Sequence, residues 1–129
     1  MNVTQDSIGS RTKGDWVVID GVACKVTSIQ TSRPGKHGHA KVRMEANGID
    51  GKKRVIMAPG HDTIDVPIIE KKVAQVLSVN GTIANVMNNE TFETFDLEIP
   101  EELRDTVKEG VNIMYWEILG EKMMKQIKG

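Results

Sequence analysis

The sequence predicts an all-β protein of two small barrels, an N-terminal SH3-like one and a C-terminal OB-fold with one short helix. Three observations carry this. Short runs of β-favouring residues recur along the chain, punctuated by Asp-Gly, Asn-Gly and Pro-Gly pairs that suit tight turns. Convincing helix-start chemistry occurs once, at Pro100-Glu101-Glu102. Charge also changes sign along the chain. Residues 1–67 hold ten Lys or Arg and seven Asp or Glu, a net +3, whereas residues 68–129 hold seven and eleven, a net −4. A basic front joined to an acidic back indicates two units with different surfaces. The expected domains are 1–68 and 69–129, each near the lower size limit for independent stability.

In the first half, Trp16-Val17-Val18-Ile19 and Val22 to Ile29 are strand-like runs on either side of Asp20-Gly21. That pair is a strong hairpin signal, because a type I′ turn needs positive φ at both central residues. Alternation puts Val22, Cys24, Val26 and Ser28 on one face, and Ala23, Lys25, Thr27 and Ile29 on the other. Residues 30–39 form a loop. Ala40 to Ala46 then alternates apolar and charged side chains, as a half-buried strand does. Asn47-Gly48 and Asp50-Gly51 mark turns, and Lys52 to Met57 resumes a strand that Pro59-Gly60 breaks. Thr63 to Val66 is a further short strand, ended near Pro67. The loop at 30–39 is thus expected to be a hairpin tip.

In the second half, Val73 to Val79 and Thr82 to Met87 flank an Asn80-Gly81 turn. Asn88-Asn89 turns the chain into a β-rich stretch from Thr91 to Ile99. Pro100 opens a helix expected over Glu101 to Glu109, with early acids complementing the helix dipole and Gly110 as its stop. Val111 to Leu119 and Lys122 to Ile127 close the unit around Gly120. Five strands with a helix between the third and fourth is an OB-like layout.

Aromatics are few, so the core rests on Val, Ile, Met and Leu. Trp16 and Trp116 read as packing residues rather than stacking platforms, and one of Met123 and Met124 as barrel core. Cys24 is the single cysteine, which rules out an intramolecular disulfide and fits a reducing compartment. No apolar run approaches a membrane span, and the start MNVTQDSIGS has no secretory character, so a cytoplasmic protein is expected.

The segment RPGKHGHAK at residues 33–41 stands apart. Between Asp20 and Glu45 lie Lys25, Arg33, Lys36, Lys41 and Arg43, and no acid. Cations held close repel one another, so a partner of opposite sign would stabilise them, and RNA phosphate is the obvious one. Other chemistries fit poorly. A P-loop needs Ser or Thr after Gly-Lys, and here the residue is His37. His37, His39 and His61 lack the companions of a structural zinc site, so no metal is expected. Glu101-Glu102 suffice as helix-start acids, and Glu90, Glu93, Asp96 and Glu98 as a solvated stretch. Asp65 reads as an ordinary turn acid. A catalytic arrangement is not evident, so an enzyme is the weaker reading. A plain RNA-binding module acting unmodified, or an RNA-processing enzyme using His37 or His39, are the alternatives.

Thr31-Ser32-Arg33-Pro34-Gly35-Lys36-His37-Gly38-His39-Ala40-Lys41 resembles the modification loop of the hypusine-containing translation initiation factor 5A family, archaeal type. Asp65-Val66-Pro67-Ile68-Ile69 resembles that family's inter-domain segment, and the likeness spans the chain. The resemblance implies that Lys36 receives an aminobutyl group from spermidine, giving deoxyhypusine or hypusine, through deoxyhypusine synthase. It implies a protein that holds no cofactor of its own. It also implies a partner, the ribosome, where the modified side chain reaches the peptidyl-transferase centre and the P-site tRNA. There it would promote peptide bond formation at stalls such as polyproline and aid termination. Arg33, Pro34, Gly35, His37, Gly38, His39, Lys41 and Arg43 would be the RNA-contacting loop around it.

Overall fold

The computed structural model describes residues 3–33 and 40–128. The chain divides into two compact β-units, Met1–Ile68 and Ile69–Gly129.

The first unit is one antiparallel sheet. Its strands are β1 (Val3–Ser7), β2 (Trp16–Ile19), β3 (Val22–Ser32), β4 (Lys41–Gly48), β5 (Lys53–Pro59) and β6 (Thr63–Pro67), in spatial order β1-β6-β2-β3-β4-β5. The β2–β3 turn has Asp20 at φ 54° and Gly21 at φ 77°, the type I′ signature. Strand β1 is not announced in the sequence, because Thr4, Gln5 and Asp6 are polar and exposed. Pairing with β6, from Val3↔Pro67 to Ser7↔Thr63, supplies what the pattern does not. Asp65 is accordingly a strand residue rather than a turn acid: it pairs with Gln5 and Val18 and accepts a hydrogen bond from Gln5 Nε2 at 3.1 Å.

The faces of β3 also depart from simple alternation. Ala23 and Cys24 are both fully buried. Pairing then slips between Val26↔Ala46 and Ser28↔Glu45, leaving Thr27 as the extra residue of a bulge. Beyond the bulge the phase inverts, so Ile29 rather than Ser28 packs against the core of Val17, Val26, Val42, Met44 and Ile64.

The second unit holds β7 (Ile69–Asn80), β8 (Ile83–Asn88), β9 (Thr94–Glu98), β10 (Asn112–Ile118) and β11 (Glu121–Ile127), in order β11-β10-β7-β8-β9. Strands β9 and β11 approach each other: Lys122 Nζ lies 3.0 Å from Glu93 Oε1 and 4.5 Å from the Phe95 ring centroid. The result is the partly closed OB barrel. The expected helix is much shorter than predicted, a 3₁₀ turn at Glu101–Leu103. Thr106 Oγ1 and the Thr106 and Val107 amides all converge on the Leu103 carbonyl. A hydroxyl that competes for backbone acceptors disfavours helix continuation. Val107 is buried and Leu103 packs beside it, so the segment serves as a lid on the barrel core.

That core is Ala74, Val76, Val86, Leu97, Ile113, Tyr115 and their neighbours. Met124 joins it, 3% exposed, while Met123 is only half-buried. Strand parity decides the aromatic positions. Tyr115 pairs with Met124 and Lys72 on the inner face, and Trp116 pairs with Met123 and Lys71 on the other. Trp116 is therefore half-buried and outside the core cluster, and Trp16 is likewise half-buried and outside it.

Candidate nucleic-acid interface

The long β3–β4 hairpin carries the segment singled out in the sequence. Its ladder runs from Cys24↔Gly48 to Ser32↔Lys41, and β5 continues it from Lys41↔Pro59 to Asn47↔Lys53. Pro34, Gly35, Lys36, His37, Gly38 and His39 lie outside the described residues. Arg33 and Ala40 are the described residues on either side of them.

The loop end of the hairpin ladder is fixed by backbone hydrogen bonds. Gly60 donates to the Ala40 carbonyl at 2.8 Å, and Gly9 donates to the Gly60 carbonyl at 3.0 Å. A Cβ on Gly9 would stand 2.8 Å from that same Gly60 oxygen, so only glycine permits this approach. The 3₁₀ turn Ile8–Ser10 is thereby held against the loop end of the ladder. Thr31, Arg33, Ala40, Val42, Gly60 and His61 border an open groove beside it.

The described cations differ in availability. Arg33 and Lys41 are exposed, and among the described residues neither makes an ion pair. Arg43 Nη1 sits 3.1 Å from Glu45 Oε2, while Lys53 Nζ sits 2.6 Å from Glu45 Oε1. The Lys53 hydrogen bond, then that of Arg43, pulls the Glu45 carboxyl below its ordinary value. Arg43 is therefore partly neutralised within the sheet, and Arg33 and Lys41 have the more available charge. Sequence reading stopped at Glu45 and missed Lys53, which register brings opposite Asn47 beside it. It also missed Val55 and Met57, 45% and 71% exposed, which oppose Glu45 and Arg43 on the edge strand. The period-two pattern Lys53, Val55, Met57 was visible, but not which face it occupies.

His61 is exposed, with Nε2 3.8 Å from Asp62 Oδ1. Among the described residues no group of three or more His, Cys, Asp or Glu side chains is placed to hold a metal ion. Nor, among them, is any helix long and apolar enough to cross a membrane.

An SH3-like sheet with a cationic hairpin, followed by an OB barrel, defines a two-domain β-protein whose first domain projects positive charge. Known proteins share this arrangement. Residues 3–61 match the family described as translation initiation factor 5A-like, N-terminal. Translation initiation factor 5A of Korarchaeum cryptofilum is 42% identical over 132 residues, covering 100% of this chain and 98% of that protein. The Archaeoglobus fulgidus protein of the same name is 47% identical, covering 89% and 91%. A solved structure, eukaryotic translation initiation factor 5A from Methanococcus jannaschii, superposes with a TM-score of 0.88 at 35% identity, covering 98% and 96%. The chain belongs to the translation initiation factor 5A family, and its relatives of that name are archaeal translation factors.

Proposed function

We propose that this chain is a ribosome-binding translation factor whose Lys36 carries deoxyhypusine or hypusine. The observation that most supports the reading is the mount. A three-stranded ladder tied at Ala40–Gly60–Gly9 flanks the GKHGH sequence, with Arg33 and Lys41 exposed beside it. Lysine is a point charge on a flexible stem. Adding an aminobutyl group supplies a second amine and more reach without changing the fold. Phosphate contacts from Arg33 and Lys41 would set the register of the hairpin on RNA. The lengthened amine would then order the acceptor end of the P-site tRNA, so that reacting groups start in a favourable geometry. On this reading the protein supplies orientation at the peptidyl-transferase centre, and the ribosome supplies the chemistry. Stalls such as consecutive prolines gain most, and termination is aided. Deoxyhypusine synthase is the modifying partner.

Mass spectrometry of the peptide spanning Lys36, from protein isolated from its native host, tests the modification. An aminobutyl increment on Lys36 is expected, and an unmodified peptide refutes it. Lys36→Arg should fold with an unchanged circular dichroism spectrum yet fail to restore synthesis through a proline run in a reconstituted system. Full rescue by that variant would remove Lys36 from the mechanism.

A further inference from the structure

The second unit segregates its charges. Residues 69–80 and 112–128, which hold β7, β10 and β11, carry Lys71, Lys72, Lys122, Lys125 and Lys128 against three glutamates, a net +2. Residues 81–111 carry Arg104 and Lys108 against eight acids, a net −6. The usual nucleic-acid face of an OB-fold lies on its second and third strands. Here those are β8 and β9, and their outward positions include Asp96 and Glu98 but no cation and no aromatic. Asn85 Nδ2 is already committed to Asp96 Oδ1 at 2.9 Å. That face repels phosphate.

The opposite part of the sheet has the reverse character. Trp116 stands on the outer face of β10, with Lys71 Nζ from β7 at 5.3 Å and Lys125 Nζ from β11 at 4.6 Å from its ring centroid. Alternation puts Lys125 on the same face as Met123, which pairs with Trp116. The register passes from Tyr115↔Met124 to Met114↔Gln126, so Lys125 is the extra residue of a bulge and has no opposite number. A groove of about 620 Å³ shares Lys71 with the cluster and is also lined by Lys72, Lys128 and the Asn88–Thr91 turn. Glu70 and Glu90 also line it. Lys72 is held by Glu70 at 3.3 Å and Glu117 at 3.6 Å, whereas Lys71, Lys125 and Lys128 make no ion pair among the described residues. Two exposed ammonium groups over one indole make weak contacts that a stacked base outcompetes.

We propose that Lys71, Trp116 and Lys125, with the adjoining groove, form a binding site for single-stranded RNA. One base stacks on the Trp116 ring, and the two lysines move from the ring to the flanking phosphates. This places the RNA contact of the OB unit on β7, β10 and β11 rather than on the acidic β8–β9 face. It rests on the reading of the chain as an RNA-facing translation factor but is independent of the chemistry at Lys36.

The test is fluorescence anisotropy of a labelled oligouridylate with the full-length, unmodified protein over a salt series. The Lys71→Gln/Lys125→Gln double variant should bind about tenfold more weakly at low salt and lose about 1.4 from the slope of log K against log salt, two phosphates at about 0.7 each. Trp116→Leu should weaken binding at least about fivefold with the slope unchanged. In a Trp16→Phe background, RNA should quench the remaining Trp116 emission. Arg33→Gln/Lys41→Gln serves as the hairpin control. If that variant alone loses affinity, this proposal falls while the hairpin reading stands. Wild-type affinity in both the lysine double variant and Trp116→Leu overturns it, as does an absence of saturable binding by the wild type. The lysine variant carries the test by itself if Trp116→Leu is misfolded.

Discussion

Phe92 holds φ at +62° while 68% of it is exposed to solvent. A left-handed backbone costs an L-residue about 1–2 kcal/mol, and a bulky side chain has no local way to offset it. The turn is built regardless, because its hydrogen bonds depend on Asn88. The Asn88 amide donates to the Glu93 carbonyl and its carbonyl accepts from Phe92. Asn88 Oδ1 also accepts from the Glu90 and Thr91 amides at 2.7 and 2.9 Å. Phe92→Asn should therefore raise stability by about 1 kcal/mol in urea denaturation, since asparagine tolerates that conformation and little buried area is lost. A lower midpoint would show that Phe92 contributes packing. Asn88 itself is 7% exposed, and its Nδ2 donates to the Tyr115 hydroxyl at 2.7 Å, which in turn lies in the barrel core. Tyr115→Phe leaves that donor without an acceptor and should cost about 1–3 kcal/mol. An unchanged midpoint would mean that the site admits water. Residue-scale features such as these were illegible in the sequence. Asn88-Asn89 was readable as a turn, but nothing in the string says that one asparagine is buried against a tyrosine 27 positions away.

At the scale of elements, the β4–β5 turn shows how a short connection is stapled. Arg54 Nη1 and Nη2 meet Asp50 Oδ1 and Oδ2, each at 2.9 Å, a bidentate pair across four residues. The Arg54 hydrogen bond, then the Lys52 amide, hold the Asp50 carboxyl well below the usual carboxylate range. A folded-state pKa below the unfolded one gives stability that is present above the unfolded value, about 3.9, and is lost as pH falls toward the folded one. Asp50→Asn should therefore be less stable than wild type by a constant margin from pH 5 to pH 8. Below about pH 4 the two unfolding midpoints should converge. A margin that persists to strong acid would assign the turn to backbone geometry instead. Elements of this kind were legible where local chemistry decides: Asp20-Gly21 gave its I′ turn because the turn itself demands those residues. The reading broke down where tertiary context decides. Strand β1 forms from polar residues because β6 offers a ladder, and the β3 bulge inverts the faces after Val26. The segment from Glu101 has a helix's opening but closes after one 3₁₀ turn.

For the whole molecule, the net charge of −1 is a poor guide to its electrostatics. The change of sign between halves was legible by counting. The segregation within the second unit was not, because it depends on which strands the register makes neighbours. Two described pairs of cations lack ion-pair partners among the described residues: Arg33 and Lys41 at the loop end of the hairpin ladder, and Lys71 and Lys125 around Trp116. They belong to different units and share no side-chain partner, so their losses should add. Removing either pair should lower the salt slope of oligouridylate binding by about 1.4, and removing both by about 2.8, because each lysine or arginine releases the counterions of one phosphate. Asp96→Asn, on the acidic face, should leave the slope unchanged. The quadruple variant decides between two pictures. If its slope falls by the full sum, a single bound strand is neutralised by both pairs, and both surfaces count toward its affinity. If it falls no further than one double variant does, the two pairs act in separate binding events, and a bound strand uses only one of the surfaces at a time.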